Sequence, residues 1–582
     1  MFWILCSTFV TLLLSLLAID RYFSFKLHKN SFPLTLAMVS LNMFVLLVTD
    51  ILLPWDLKTG NNTSTGTSLL WLLIYWTQFI ICWLIIPVQI SYLSLKYITL
   101  KIDIKQRLSK AIMDNIKFYS LCLLGIFIGF TYLIFSTGHS PLDFKPLLIS
   151  LSHLYSLSYT LILLSSGLIM FPRDLLKPLI HSLKKSQTII NDSTTMERDP
   201  NVNNALFVEL SKTNEDLNDA QLSLSEKAAM IQSTQELTNG DIVFNELLIE
   251  VKDEIKYKLS IINDSLTTDQ NLLPLQTSSI NSLEKLNNNY NKFITNYYNF
   301  IYYKKKSDEI IHILAQSYNS TILSPKNIII TIFGFIAMIL SCLIIIVEIL
   351  PRTKLNDHLF WQNNDDVFIS TLLILSYNTI CSLYAMSKFK FNNFHLIANG
   401  NSNPSNVLYY SLYSSRLLFP LCFNLMTLLP KEVANEANFN ITLYHDLKLI
   451  SFVNFLNNYL PMCFMILVPI SYKFDIKRKI LLKILGEEYY YQFFGMMIYE
   501  PVDDVENNYN NENDRQTYDR INEDYEYSLK DGRYIFERMA ANVNFDNNSS
   551  LAPISLHDNV STTSHLSTST NKNNNNINNT II

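Results

Sequence analysis

The material for chemistry in this chain is a handful of ionisable and strongly polar residues inside long apolar runs, where each is costly to bury and needs a matching group. Arg416 is the sharpest case. It lies ten residues into the run 406–429, in the string SRLLFPLCFNLM, with Pro420 and Asn424 on the turns that follow. A guanidinium there requires a carboxylate, a cage of carbonyls or water, and the acidic candidates in other runs are Asp50 and Glu348. Two readings are open: a buried ion pair that fixes helix register, or a contact to a substrate or ion. The string DILLPWDL sets Asp50, Pro54 and Asp56 at the end of another run. A proline there can end the helix and leave carbonyls facing a vestibule, while capping and topology are the plainer account. In IYWTQFIICWLIIPVQISY, Trp76 and Trp83 are seven apart and share a helix face, and Pro87 bends the helix with Gln89 close by. That group lines a cavity for a lipophilic ligand, or it is ordinary packing. Gly125 and Gly129 form a small-xxx-small pair that permits close helix approach.

Catalytic patterns are missing. There is no HExxH pair, P-loop, GxSxG elbow or glycine-rich dinucleotide turn, and the ten histidines are scattered. An intramembrane aspartyl protease needs two deep aspartates in neighbouring spans, whereas Asp50 stands singly at a periphery. All seven cysteines (Cys6, Cys82, Cys122, Cys342, Cys381, Cys422 and Cys463) fall in apolar runs, which leaves no disulfide framework or CxxC site. The expectation is therefore a non-enzyme with no cofactor and no metal.

The elements that must position these residues follow from composition. Of 582 residues, 49% are apolar and only 16% charged, against about 25% in an average soluble protein. A lipid-facing surface explains this better than an oversized core. The net charge of -5 and the lack of a basic strip interleaved with aromatics set nucleic acid aside. Apolar segments of spanning length lie near 2–19, 33–53, 69–93, 118–135, 147–171, 328–350, 367–387, 406–429 and 452–472. The fold class expected is all-α, a polytopic bundle of about nine transmembrane spans with a helical cytoplasmic insertion. The first segment reads as an uncleaved span, since Arg21, Lys26 and Lys29 follow it and no basic region precedes it.

Orientation comes from lysine and arginine. Flanks 20–32, 94–117, 388–405 and 473–483 hold sixteen of them, against six in 54–68, 136–146, 351–366 and 430–450. Positive flanks stay inside, so the N-terminus is expected outside and the C-terminus in the cytoplasm. Sequons at Asn61, Asn62 and Asn440 then sit in outer loops as glycosylation candidates, and Trp3, Trp55, Trp71 and Trp361 fall at the outer interface. The partition is 1–172 for spans 1–5, 173–327 for a cytoplasmic helical loop, 328–472 for spans 6–9, 473–500 for a juxtamembrane segment, and 501–582 for a tail.

Within the loop, Leu210, Leu217, Leu224 and Ile231 repeat at seven-residue spacing and stripe one helix face. Asn214 and Gln221 interrupt one candidate companion row and Thr213 and Lys227 the other, which favours packed amphipathic helices over a true coiled coil. A second helix is expected from 280 to 318, with Lys304, Lys305 and Lys306 presented to solvent or to anionic head groups. The tail is rich in Asn, Asp, Ser and Thr, a composition that predicts disorder.

Several of these blocks carry a resemblance. LLPWDL at 52–57, the run from Leu72 to Tyr119, GLIMFPRDL at 167–175, SRLLFPLCFNLM at 415–426 and the stretch Leu456 to Pro469 resemble, in order, the limb-region-like (LMBR/LIMR) membrane proteins. Their second LMBR-domain-containing branch is the most similar. The resemblance implies nine spans, a large helical cytoplasmic loop after span 5, and residence in the plasma or endolysosomal membrane. It also implies a receptor or accessory role, exemplified in the family by lipocalin uptake, lysosomal cobalamin export and modulation of receptor-coupled signalling. Pro54, Asp56, Pro87, Arg173, Arg416, Pro420 and Asn424 match the family's motif positions, and no catalytic residue carries over. The expected function is a receptor or signalling and trafficking adaptor whose partners are the bilayer and cytoplasmic proteins bound through 173–327. The alternative is a transporter or transport accessory for a small lipophilic or cofactor-like ligand in a cavity near Arg416, Trp83 and Gln89.

Overall fold

The computed structural model describes residues 2–22, 33–59, 65–98, 104–137, 144–191, 201–235, 242–262, 280, 282–319, 325–349, 364–388, 394–397, 402–429, 431–444, 451–473 and 512–542. These residues form an all-α membrane protein. Its first half comprises α1 (Phe2–Tyr22), α2 (Pro33–Thr59), α3 (Thr65–Ile80), a π turn (Ile81–Ile85), α4 (Ile86–Ser94), α5 (Ile104–Thr137) and α6 (Phe144–Asn191). A polar insert follows with α7 (Asn201–Gln232), α8 (Ile242–Ile262) and α9 (Leu283–Asn319). Then come α10 (Pro325–Ile349), α11 (Asn364–Lys388), α12 (Pro404–Ser415), α13 (Leu418–Leu428), α14 (Lys431–Glu436), a second π turn (Asn440–Tyr444), α15 (Ser451–Lys473) and α16 (Glu512–Asn542).

Among the described residues six stretches are long and apolar enough to cross a membrane: Leu34–Thr59, Gly66–Ser94, Ile104–Gly129, Ser152–Lys177, Ile328–Ile349 and Phe368–Lys388. The segments expected as spans one, eight and nine are not among these, the first forming α1 (Phe2–Tyr22). The run 406–429 is two helices that meet at Arg416 and Leu417, and in α15 the apolar stretch is the shorter Tyr459–Ser471. The interruption has a local cause. Leu417 N–H turns back to the Ser414 carbonyl at 3.1 Å, and Pro420 then sits in the first turn of α13, where its missing N–H is tolerated.

The central element is α6, which packs against α10, α11, α13 and α15, while α2 packs on α1, α11, α12 and α13. Leu157, Leu161, Leu164 and Leu168 of α6 are buried with Leu46 and Leu53 of α2, Leu375 and Cys381 of α11, and Leu421 and Leu425 of α13. Hydroxyls within this apolar core bond back to their own helix, as Thr160 does to Ser156 O at 2.9 Å and Ser165 to Leu161 O at 2.5 Å. Within this core the backbones come close at Gly167, where an added Cβ would lie 2.1 Å from the Cys381 carbonyl oxygen. Gly125 and Gly129 behave differently: nothing lies within 4 Å of a Cβ at either position, so the small-residue pair makes no close helix approach among the described residues. Their helix, α5, packs chiefly on α4 and turns Leu121, Leu123 and Phe127 outward.

In the insert, α7 lies along α9, and Leu210, Leu224 and Ile231 of the seven-residue stripe are buried, with Leu217 partly so. Lys306 of the basic triplet pairs with Glu209 at 2.9 Å instead of standing free in solvent. The tail departs from the expected disorder over Glu512–Asn542, which is helical and packs on α7. Its polar composition conceals an apolar stripe of Leu529, Ile535, Phe536 and Met539 that docks on a ready-made surface. Residues 474–511 and 543–582 lie outside the described residues.

Gly167→Val should therefore lower the stability of the detergent-solubilised protein by about 1–3 kcal/mol or more, the usual cost of overpacking a close contact. The same change at Gly125 should leave it unchanged. The unfolding midpoints of the two variants in one detergent check this.

Candidate functional site

Span 3 and the 404–428 pair are both interrupted, and the interruptions meet. Cys82, in the π turn, donates to Ser415 Oγ at 2.8 Å, one residue before Arg416. From this point a polar seam runs through the bundle. Gln78 of α3 donates to Cys82 Sγ at 3.4 Å and to Asn42 Oδ1 of α2 at 3.0 Å. Asn42 in turn donates to the Ser411 carbonyl at 2.6 Å and hydroxyl at 2.7 Å. Ser411, Ser414 and Ser415 stud α12 at the break, and the last two donate to carbonyls three residues back. Such back-bonding loosens a helix where Pro420 has already removed a donor.

The π turn is explained by Pro87. Lacking an N–H, it cannot donate to Trp83 O, and the Tyr119 hydroxyl of α5 donates to that carbonyl instead, at 2.5 Å. Asn115 of α5 braces the same region by donating to Ser91 Oγ at 2.8 Å. Arg107 bonds the Tyr92 carbonyl through Nε at 2.8 Å and stacks over the Tyr92 ring at 4.0 Å.

The sequence-derived candidates separate into distinct groups. Arg416 is half-buried with its guanidinium carbon 5.4 Å from the Tyr413 ring centre, and Cys82 and Tyr159 lie within reach of its charge. It pairs with neither expected carboxylate. Asp50 accepts from Thr379 of α11 at 2.9 Å, and Glu348 of α10, fully buried, accepts from Asn424 of α13 at 2.5 Å. These contacts tie α2 to α11 and α10 to α13 by hydrogen bonds from neutral partners. Pro54 does not end α2, which continues to Thr59. Trp76 and Trp83 are 52% and 54% exposed and, with Phe79 between them, form an outward aromatic strip, so they line no cavity with Gln89. Gln89 is buried, with no hydrogen-bond partner for either amide atom among the described residues. Pro420 is buried in the first turn of α13.

Asp56 organises a separate knot. Fully buried, it accepts from Trp71 Nε1 at 3.1 Å, Asn438 Nδ2 at 3.0 Å and the Phe439 amide at 2.8 Å. The Trp71 ring meets Phe439 edge-on at 4.8 Å. Trp71 is therefore a buried donor instead of an interfacial anchor, because a carboxylate below it takes its N–H. Asn440 of the second π turn donates to Ala434 O at 3.1 Å. Asn61, Asn62 and Trp361 lie outside the described residues, as does the Trp3 side chain.

A third cluster was invisible in the sequence. At the end of α4, Glu254 of α8 accepts from Lys96 Nζ at 2.6 Å, from Tyr290 of α9 at 2.7 Å and from the Tyr97 hydroxyl. Asn287 of α9 receives the Tyr97 amide at 3.0 Å and donates to the Ser94 carbonyl at 2.8 Å, and Asn291 donates to the same carbonyl at 2.7 Å. Burial alone would raise the Glu254 carboxyl, but the Lys96 charge and three donors outweigh it and hold the group below the usual range. Burial and the neighbouring carboxylate push both phenols up, so Tyr97 and Tyr290 remain donors at neutral pH. Further along α9, Tyr302 packs on His395 at 4.4 Å, and the His395 carbonyl accepts from Asn406 of α12 at 3.1 Å. One insert helix thus reaches the end of span 3 and the segment leading into α12, at anchor points about 22 Å apart along its axis.

The arrangement offers directional contacts between helices, and no cluster of three or more His, Cys, Asp or Glu fit for a metal exists among the described residues. Comparison with known proteins bears on what it serves. The family model described as LMBR1-like membrane protein matches residues 1–474. A relative in Caenorhabditis briggsae, named "G-protein coupled receptor-associated protein LMBRD2", is 21% identical over 453 residues. That alignment covers 69% of this chain and 66% of the relative, just under two thirds of its length. No solved structure matches.

Two outcomes follow from the geometry. Asp56→Ala strands three buried donors, each costing about 1–3 kcal/mol; the thermal midpoint should fall and the Phe439 amide should exchange faster, with Asp56→Asn milder in both. The Glu254 carboxyl titrates lower in the folded protein than its unfolded value of about 4.3. Its stabilisation is therefore fully present at neutral pH and is lost as pH falls through the lowered folded value. Hydrogen exchange across Ser94–Ile98, corrected for intrinsic rates, should be flat from pH 6 to 8 and rise below about pH 4, whereas Glu254→Gln should raise it throughout.

Proposed function

The chain belongs to the family of LMBR1-like membrane proteins, and on that premise we propose that it is a non-enzymatic adaptor of receptor-coupled signalling. In this reading the insert 173–327 faces the cytoplasm, as the positive flanks favour, and binds protein partners there. One observation supports it most: α9 holds the end of span 3 through Asn287 and Asn291, and the segment leading into α12 through Tyr302. Those are the two elements whose interruptions meet at Cys82 and Ser415. A change in how the interrupted spans sit against each other therefore moves the surface the insert offers, which is what an adaptor at a membrane receptor requires. The receptor class is taken from the relative's name, in which a G-protein-coupled receptor is the associate. The plasma membrane and the endolysosomal membrane both suit this role.

A transport reading draws on a different feature. Interrupted helices meeting at a polar seam are a recurrent setting for small-ligand sites in transporters. Arg416, beside the seam, would then contact the ligand, with Asn42, Gln78 and the α12 serines around it.

The two readings separate in cells that lack the endogenous protein and carry one defined G-protein-coupled receptor. Asn287→Ala with Asn291→Ala removes both bonds from α9 to the Ser94 carbonyl at the end of span 3, and Arg416→Met removes the seam charge. The adaptor reading expects the double variant, expressed at normal level, to lose the chain's effect on agonist-stimulated second messenger, while Arg416→Met retains at least about half of it. Agonist responses that are identical with and without the intact chain would end the adaptor reading. A loss confined to Arg416→Met would move the assignment to transport.

A further inference from the structure

The helix α16 rests on the insert in an uneven way. On the insert side, Phe207 and Leu210 of α7 and Ile310, Ile311 and Leu314 of α9 are all buried beneath it. On its own side Ile535 alone among the described large apolar residues is buried, with Leu529, Phe536 and Met539 partly so, while Tyr527 and Tyr534 stand in the open. The groove thus presents five contiguous large apolar residues that need a cover, and the cover contributes little core of its own. The contact is nonetheless specific. Gly532 meets the α7 backbone so closely that a Cβ there would lie 1.9 Å from the Phe207 carbonyl oxygen. Asp531 accepts from the Ser211 hydroxyl at 2.6 Å, and Arg533 donates to Asn204 Oδ1 at 3.1 Å. Glycine at the crossing, an acid before it and a base after it, with apolar residues three and four positions on, is a recognition pattern for one amphipathic helix in one groove.

We propose that the groove across α7 and α9 is a docking site for an amphipathic partner helix with glycine at its crossing point, and that α16 occupies it as a tethered competitor. Resting on the adaptor reading, the inference adds the chemistry of the partner and a way of regulating access. Because α16 belongs to the same chain, its local concentration far exceeds that of a free helix, and a partner must match its register to displace it. Any modification or second contact that draws α16 away uncovers the groove.

The test uses the full-length protein in lipid nanodiscs and a fluorescent peptide of residues 512–542. In the intact chain the groove is filled, and the peptide should bind at least about a hundredfold more weakly than to Gly532→Val, whose own tail cannot seat. Amide exchange in that variant should rise over 529–539 and stay unchanged over 244–259, which reports that the insert remains folded. A peptide carrying Gly532→Val, or Asp531→Ala with Arg533→Ala, should lose binding to the uncovered groove, a control that leaves the protein untouched. Equal peptide binding to the intact chain and the variant, binding to neither, or unchanged exchange over 529–539 would each overturn the proposal. Should 244–259 also lose protection, Asp531→Ala with Arg533→Ala in the chain replaces Gly532→Val, and the same outcomes decide. No receptor or second messenger enters these measurements, so docking can fail while the adaptor reading stands, and the reverse.

Discussion

Lipid offers no hydrogen bonds, so every backbone group that a spanning helix fails to satisfy must find a substitute inside the protein. The bundle is arranged around that constraint. Pro87 leaves the Trp83 carbonyl open, and a tyrosine from the next helix closes it. Pro420 interrupts the 404–428 pair, and serines on the preceding turn supply hydroxyls at the break. Once two spans are loosened in this way, placing the loosened points together lets one set of polar side chains serve both, which is what Asn42, Gln78, Cys82 and Ser415 do.

The same economy extends to the charged residues. Asp50, Glu348 and Asp56 each hold two or more helices together, and each does so through donors that carry no charge: a threonine, an asparagine, an indole and a backbone amide. Neutral donors avoid the desolvation of a second ion, a penalty that often cancels the attraction within a buried pair. Arg416 follows a different course, resting against an aromatic ring beside the seam.

Much of the fold was legible in the sequence because its signals are one-dimensional. Unbroken apolar length marks a span, and a seven-residue stripe marks the buried face of α7, whose Leu210, Leu224 and Ile231 have no exposed surface. The positions of Pro87 and Pro420 also foretold irregular backbone, though not that the two irregularities touch. That fact depends on which helices are neighbours, and no spacing encodes it. Pairings across long separations were equally hidden, as with Glu254 and Lys96, 158 residues apart, or Ser211 and Asp531, 320 apart. Trp71 illustrates the failure in a single residue: its place near the end of a span reads as an interfacial anchor until Asp56 is found beneath its ring nitrogen. The tail shows the converse. Average composition hid four apolar residues at helical spacing, and only the groove they fill makes them significant.

The helix α5 has so few neighbours that apolar contact alone would hold it little better than a lipid chain does. Its retention rests on Tyr119, Asn115 and Arg107, whose bonds to α4 and the π turn have direction and cannot be replaced by acyl groups. The position of α5 is thus set by three polar groups spaced along one of its edges, and the register of that helix against α4 and the π turn follows from where they fall in the chain.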